Sequence, residues 1–354
     1  MHIRDELGVQ AANAVYEKRE YHTLDAMRGV AAIVVVFLHC GTLWGGWHPA
    51  SGYLAVGFFF ALSGFVLEHV YGPRFARGMP VSSFMKARYV RLYPLYLLGT
   101  VAGFAGIIIF KPWLGLFVRA LPAAIMLPTP TSDGSIYPFD VPAWSLFLEL
   151  LVNLVFVLIW RHLRPRMLVS ILFMFGAILA WCILHAGKSD LGSSTFTFLF
   201  GFPRVAFLFF LGVWLCRIHR SQRTVGWLGL LFPLLLTLAL LINPGELRRE
   251  YDLLWVFVCC PLLVYGGCIC EPPIRYIPIF RFLGLISYPI YVLHYPLVFF
   301  VRNVAENTHL SVVTIATLQV AMVSVAAWIS WLAATKFDIP ARGALARALI
   351  RHHG

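Results

Sequence analysis

The sequence predicts an all-α membrane protein, a polytopic bundle of about ten transmembrane helices with both termini on the cytoplasmic side, and three observations carry this prediction. Of 354 residues, 60% are hydrophobic and only 12% charged, and the mean hydropathy is +0.79, well outside the range of a soluble domain. Apolar runs of about 20 residues, the length that crosses ~30 Å of hydrocarbon, follow one another from residue 24 to 335. The lysines and arginines are concentrated in alternate connections between these runs.

The runs fall at about 24–43, 53–71, 90–110, 143–160, 167–186, 196–217, 225–243, 253–270, 282–301 and 311–334. Residues 1–23 form a polar cytoplasmic segment without the apolar centre of a cleaved signal peptide, so the first helix directs insertion. Residues 24–335 then form one membrane domain, and 336–354 a basic cytoplasmic tail. The first connection, WGGWHPASG, has no Lys or Arg and is placed outside. The next carries Arg74, Arg77, Lys86, Arg88 and Arg91, and further inner groups follow: Arg161, Arg164 and Arg166; Arg217, Arg220 and Arg223; Arg275 and Arg281; and, in the tail, Lys336, Arg342, Arg347 and Arg351. One outer connection, 244–252, departs from the pattern with Arg248 and Arg249, beside Glu246, Glu250 and Asp252. Within 111–142 a short apolar stretch broken by Arg119 and Pro122 suits a re-entrant or interfacial helix better than a crossing. The proline-rich remainder is an outer loop, either a lid or a spacer.

The formal charge of +12 is accounted for by these connections, so no nucleic-acid partner is expected. The seven cysteines lack zinc-ligand spacing and read as small buried hydrophobes; no metal is expected.

A charged group in hydrocarbon costs ~2.5–3.5 kcal/mol, which makes each one inside a span a candidate for function. In LDAMRGVAAIVVVFLHC (24–40), Arg28 and His39 are 11 residues apart. At 100° per residue they share one helical face, ~16 Å apart along the axis. Asp25 lies on that face too, as a partner for Arg28 or as a marker of the interface. Ser63 and Gly64 make a polar notch in the second span, and Lys86, Arg88 and Arg91 cluster at the entry to the third. Ser145, Glu149 and Asn153 form a stripe at i, i+4 and i+8 in the fourth, at a depth that would let Glu149 meet His39. The ninth offers Ser287, Tyr291 and His294, the last as a supporting or packing residue.

These stretches resemble the integral-membrane acyltransferase family 3. The likeness runs in order through most of the chain: LDAMRGVAAIVVVFLHC, with its Arg and His separated by ten residues; FFFALSGF (58–65); ARYVRLYPLY (87–96); WSLFLE (144–149); and LGLISYPIYVLHYPL (283–297). Gly57 and Leu150 stand where the family often has polar or acidic residues. The resemblance implies a helical bundle that transfers an acyl group, often acetyl, from acyl-CoA as co-substrate to a hydroxyl of a sugar, surface glycan or other extracytoplasmic acceptor. It implies His39 and Glu149 as catalytic, Arg28, Arg88 and Arg91 as donor-binding, and Asp25, Ser63, Trp144, Ser145, Tyr291 and His294 as supporting residues. It also implies a stand-alone O-acetyltransferase of the bacterial inner membrane, in contact with lipids, as a monomer or with a second copy of itself. Two chemistries remain open for His39, general base or transient acyl carrier. The rival reading is a glycolipid or small-molecule transporter, which would also need buried Glu and His, but no inverted repeat is visible.

Overall fold

The computed structural model describes residues 20–41, 48–113, 115–219, 224–308 and 312–351. The N-terminal segment up to residue 19, Arg220 and Arg223, and the side chains of Arg347 and Arg351 lie outside the described residues. The chain is almost wholly helical. α1 (His22–His39), α2 (Leu54–Ala76) and α3 (Val81–Phe110) are followed by a short α4 (Leu116–Ala124), then by α5 (Ala143–Ile159), α6 (Pro165–Ala186) and α7 (Phe198–Ile218). After α8 (Leu228–Leu241), α9 (Arg248–Leu254) continues through a π turn into α10 (Cys260–Ile269). The chain ends with α11 (Ile277–Thr308), α12 (Val312–Leu332), a second π segment (Ala333–Asp338) and α13 (Ile339–Arg351).

Among the described residues nine helices are long and apolar enough to cross a membrane. α8, expected as a full span, has only 14 residues, or about 21 Å of rise. It nevertheless runs from one end of the bundle to the other. The strand just before it, β1 (Thr224–Val225), pairs in parallel with β2 (Cys270–Glu271), and Glu271 accepts the backbone N–H of His22 at the start of α1. The Ile242 carbonyl just after α8 accepts from Ser51, at the opposite end. α4, at nine residues, is too short to cross, as its Arg and Pro foretold; the Tyr96 hydroxyl donates to its Ala123 carbonyl and ties it to α3. The loop after α4 is pinned by a bridge between Ser135 and Ser194.

In lipid, helices associate through close packing rather than water exclusion, and small residues set the approach. α11 lies along α1 where Gly29 meets the Leu283 backbone, and α7 lies along α2 where Gly64 meets the Phe209 carbonyl; a Cβ at either glycine would overlap that backbone. Around the second contact sits an aromatic core that includes Phe58, Phe65, Phe156, Phe209 and Phe210, all buried.

Candidate active site

The bundle has a cavity towards each end, and the polar residues of the spans are divided between them. The first, of about 200 Å³, is lined by Arg28, Arg88 and Arg91 together with Ser63, Ser145, Glu149 and Ser287. α1 and α11 hold Arg28 jointly: its Nε donates to Ser287 Oγ at 2.8 Å, and its Nη2 to Asp25 Oδ1 at 3.1 Å and to the Gly284 carbonyl at 3.0 Å. Asp25 is therefore the partner of Arg28. Arg88 Nη2 donates to Glu149 Oε1 at 2.8 Å, and Ser63 Oγ donates to the same oxygen at 2.7 Å. Arg91 lies 3.6 Å from Asp338 and stacks over the Tyr288 ring; Asp338 also takes a hydrogen bond from Arg342. Three guanidiniums thus converge, each with one carboxylate fixing it, an arrangement that suits phosphate or other oxyanions.

The second cavity, of about 440 Å³, is lined by His39, Trp144, Tyr53, Lys188, Asp190 and Arg248, among others. Val56 and Tyr291 line both cavities and form the wall between them. Tyr291 is fixed there: its hydroxyl is 2.7 Å from Ser145 Oγ, and Ser145 in turn donates to the Pro142 carbonyl at 2.9 Å. Since the Ser145 proton is used on that carbonyl, the Tyr291 hydroxyl donates to Ser145.

His39 is paired with His294, with His294 Nε2 and His39 Nδ1 3.1 Å apart. Each Nδ1 also faces the carbonyl four residues back, Val35 at 2.9 Å and Ile290 at 3.0 Å. A carbonyl only accepts, so both Nδ1 atoms carry protons. His294 Nε2 is then a lone pair that receives part of the His39 Nδ1–H bond. The remaining nitrogen of His39, Nε2, has an unshared pair in a ring that lines the second cavity. An imidazole held in one tautomer with its basic nitrogen on a ligand-sized space can take a proton or attack a carbonyl.

The structure brings most of the expected residues together but separates one pair. Glu149 belongs to the arginine cavity and His39 to the other, so they do not meet. The expected equal depth fails because α1 ends at His39 itself, whereas Glu149 sits about 9 Å along α5 from its start. Several polar residues in or behind these cavities were not singled out from the sequence. Arg204, buried about two turns into α7, donates to the carbonyls of Leu191 and Tyr53 at 3.0 and 2.8 Å and lies over Trp144; the cost of a charge in hydrocarbon was signal enough to find it. Asp252, fully buried, accepts from the Tyr53 hydroxyl at 2.7 Å and from the Ser189 N–H at 2.6 Å. Asp338 and Lys188 gave no such signal, as they lie beyond the expected spans. Among the described residues no group of three His, Cys, Asp or Glu is placed to hold a metal ion.

Comparison with known proteins gives the family. The profile of the acyltransferase domain of family 3 matches residues 21–335. The protein called "Protein 2 in picA locus" from Rhizobium radiobacter is 39% identical over 158 residues, covering 38% of this chain and 78% of that one. Acyltransferase MdmB from Streptomyces mycarofaciens is 34% identical over 123 residues, covering 32% of this chain and 30% of MdmB. No solved structure matches. With the family profile covering every residue that lines the two cavities, the chain belongs to acyltransferase family 3 and is a multi-pass membrane acyltransferase.

Proposed function

We propose that the protein is an O-acyltransferase that moves an acyl group, with acetyl as the first candidate, from acyl-CoA in the arginine cavity to a hydroxyl of an extracytoplasmic acceptor, a sugar or surface glycan, in the His39 cavity. The observation that carries this is the shared wall: a cationic cavity and a cavity with a basic imidazole meet at Val56 and Tyr291. At about 200 Å³ the first cavity is smaller than the ~300–1,000 Å³ of whole-ligand pockets, which suits an acyl-pantetheine arm entering while its phosphates stay at the arginine mouth. In the general-base route, His39 Nε2 takes the hydroxyl proton as that oxygen attacks the thioester carbonyl. The C–S bond breaks, and the thiolate leaves with the proton from Nε2–H. In the other route Nε2 attacks the thioester carbonyl and expels the CoA thiolate; the hydroxyl then attacks the acyl-imidazole, the C–N bond breaks to return the neutral imidazole, and the hydroxyl proton neutralises the thiolate. The arginine end faces the cytoplasm in this reading, where acyl-CoA is made, and so do both termini; the bacterial inner membrane is the setting.

The test is His39→Ala in the purified chain with radiolabelled acetyl-CoA. Donor binding is expected to persist and transfer to stop; near-normal transfer by a well-folded variant would remove His39 from the chemistry. Label retained on the wild-type protein without acceptor, and absent from the variant, selects the acyl-imidazole route.

A further inference from the structure

The His39 cavity carries more fixed charge than a neutral hydroxyl acceptor calls for. Lys188, Asp190, Arg248 and His48 line it alongside His39. Lys188 and Asp190 neutralise one another, 3.2 Å apart. Arg248, half-buried, forms no ion pair among the described residues. Neutral oxygens hold its guanidinium: Nη1 donates to the Ala50 carbonyl at 3.1 Å and to Ser51 Oγ at 2.8 Å, with the Tyr53 hydroxyl at 3.5 Å, and Nη2 donates to Asn243 Oδ1 at 3.1 Å. That leaves Nε–H and one Nη2–H with no acceptor among the described residues. Asp252, on the same short helix, is buried behind Tyr53 and engaged by the Tyr53 hydroxyl and the Ser189 N–H.

Topology does not account for Arg248. It sits at the end of the bundle opposite Arg28, Arg88 and Arg91, in the connection that breaks the charge alternation of the sequence. A guanidinium with a fixed orientation, two free N–H groups and no counter-charge matches a planar carboxylate.

We propose that the His39 cavity selects an acceptor carrying a carboxylate near the hydroxyl to be acylated, an acidic sugar or hydroxy acid, with Arg248 binding the carboxylate and Lys188 offsetting the Asp190 charge that would otherwise repel it. This rests on the acyl-transfer reading above. The cavity of about 440 Å³ is of the size that holds one small ligand. A neutral analogue leaves the two N–H groups of Arg248 unpaired once water is displaced, and such a loss is what makes a polar site reject it.

The experiment offers the full-length chain in detergent, with radiolabelled acetyl-CoA, pairs of acceptors that differ in a carboxylate: methyl glucoside against methyl glucuronide, and 1,3-butanediol against 3-hydroxybutyrate. The carboxylates are expected to be preferred in kcat/KM by roughly tenfold to a hundredfold, the size of a charge-assisted hydrogen bond. Arg248→Gln should erase most of that preference by raising KM for the carboxylate, and Lys188→Glu, at an exposed site, should reduce it without a folding cost. Arg249→Gln, exposed on the same connection and outside the cavity, should keep it. Equal use of both members of each pair, or a preference that survives Arg248→Gln and Lys188→Glu alike, overturns the inference and leaves acyl transfer standing. Transfer to no acceptor in the panel overturns the acyl-transfer reading of this cavity and the inference with it.

Discussion

Substituting Glu149 separates a positioning ion pair from a catalytic acid. Glu149 Oε1 accepts from Arg88 at 2.8 Å and from Ser63 at 2.7 Å, and the Arg88 and Glu149 side chains are only 13% and 17% exposed. Arg88 Nε is buried with no hydrogen-bond partner among the described residues. In Glu149→Ala the Arg88 guanidinium is left in a low-dielectric site without a counter-charge, and breaking such a pair costs about 3–5 kcal/mol; the remaining exposure puts the expectation at the lower end. Glu149→Gln keeps an acceptor oxygen for both donors and loses the charge, so about 1–2 kcal/mol is expected. Replacing both partners, Glu149→Leu with Arg88→Met, removes the stranded charge and should recover most of the stability while abolishing donor binding. The assay is the unfolding midpoint in detergent, followed by tryptophan fluorescence, with kcat and the acyl-CoA KM measured on the same samples. If Glu149 positions Arg88, Glu149→Gln raises KM and spares most of kcat. A Glu149→Ala protein as stable as the parent would refute the ion-pair argument. Loss of kcat in Glu149→Gln at unchanged midpoint would restore Glu149 as a catalytic acid.

Three further outcomes are expected. His294→Phe removes the acceptor of the His39 Nδ1–H, so kcat should fall roughly tenfold to a hundredfold, the value of a hydrogen bond to a group that becomes charged, with the donor KM unchanged and part of the loss restored by His294→Gln; an unchanged kcat would show that the Val35 carbonyl suffices. Asp338→Asn leaves Arg91 and Arg342 without their shared carboxylate, so the unfolding midpoint should drop, and saturating acyl-CoA should recover more of it than in the parent, since phosphates supply the missing charge; equal midpoints without ligand would count against this. Asp140, in the loop before α5, is buried and neither of its oxygens has a hydrogen-bond partner, and burial pushes its carboxyl well above the ordinary 3.8. The folded protein therefore keeps a proton that the unfolded chain releases, and stability falls as pH rises from about 3.8 towards the folded-state value. Asp140→Asn should flatten that part of the stability curve, and an identical pH dependence in both proteins would contradict it.

The fold was legible because lipid leaves the backbone few choices: apolar length and the alternation of Arg and Lys are enough to mark each crossing. α8 was the exception in length, since the β1 pairing and Gly226 delay its start and Asn243, Pro244 and Gly245 follow its end, while the chain around it still joins both ends of the bundle. In the site, cost in hydrocarbon picked out Arg28, His39 and Glu149, and helical period placed the first two on one face. What period could not give was the partner of each. Glu149 went to Arg88, 61 positions away, because α3 and α5 pack side by side. The His39 cavity owes Lys188, Asp190 and Arg248 to connections whose position depends on the whole bundle, and there no periodicity exists to be read.

The pairing of α1 with α11 explains how one helical face can serve both cavities. Asp25 packs against Gly284, Arg28 bonds to Ser287 and His39 meets His294, so the two helices run parallel. From Arg28 to His39 the rise is about 16 Å, but from Ser287 to His294 only about 10 Å. The missing 6 Å is the reach of the Arg28 side chain, which must extend forward along α11, from the level at which Gly29 meets Leu283, to find the Gly284 carbonyl and Ser287. An extended guanidinium at one end and a short, tautomer-locked imidazole at the other are therefore consequences of the same packing. Lys at position 28 would keep the charge but could not donate to Asp25, Ser287 and Gly284 with the same planar fork. The polar face of α1 thus works only as part of a two-helix unit, with α11 supplying the acceptor that orients each of its functional ends.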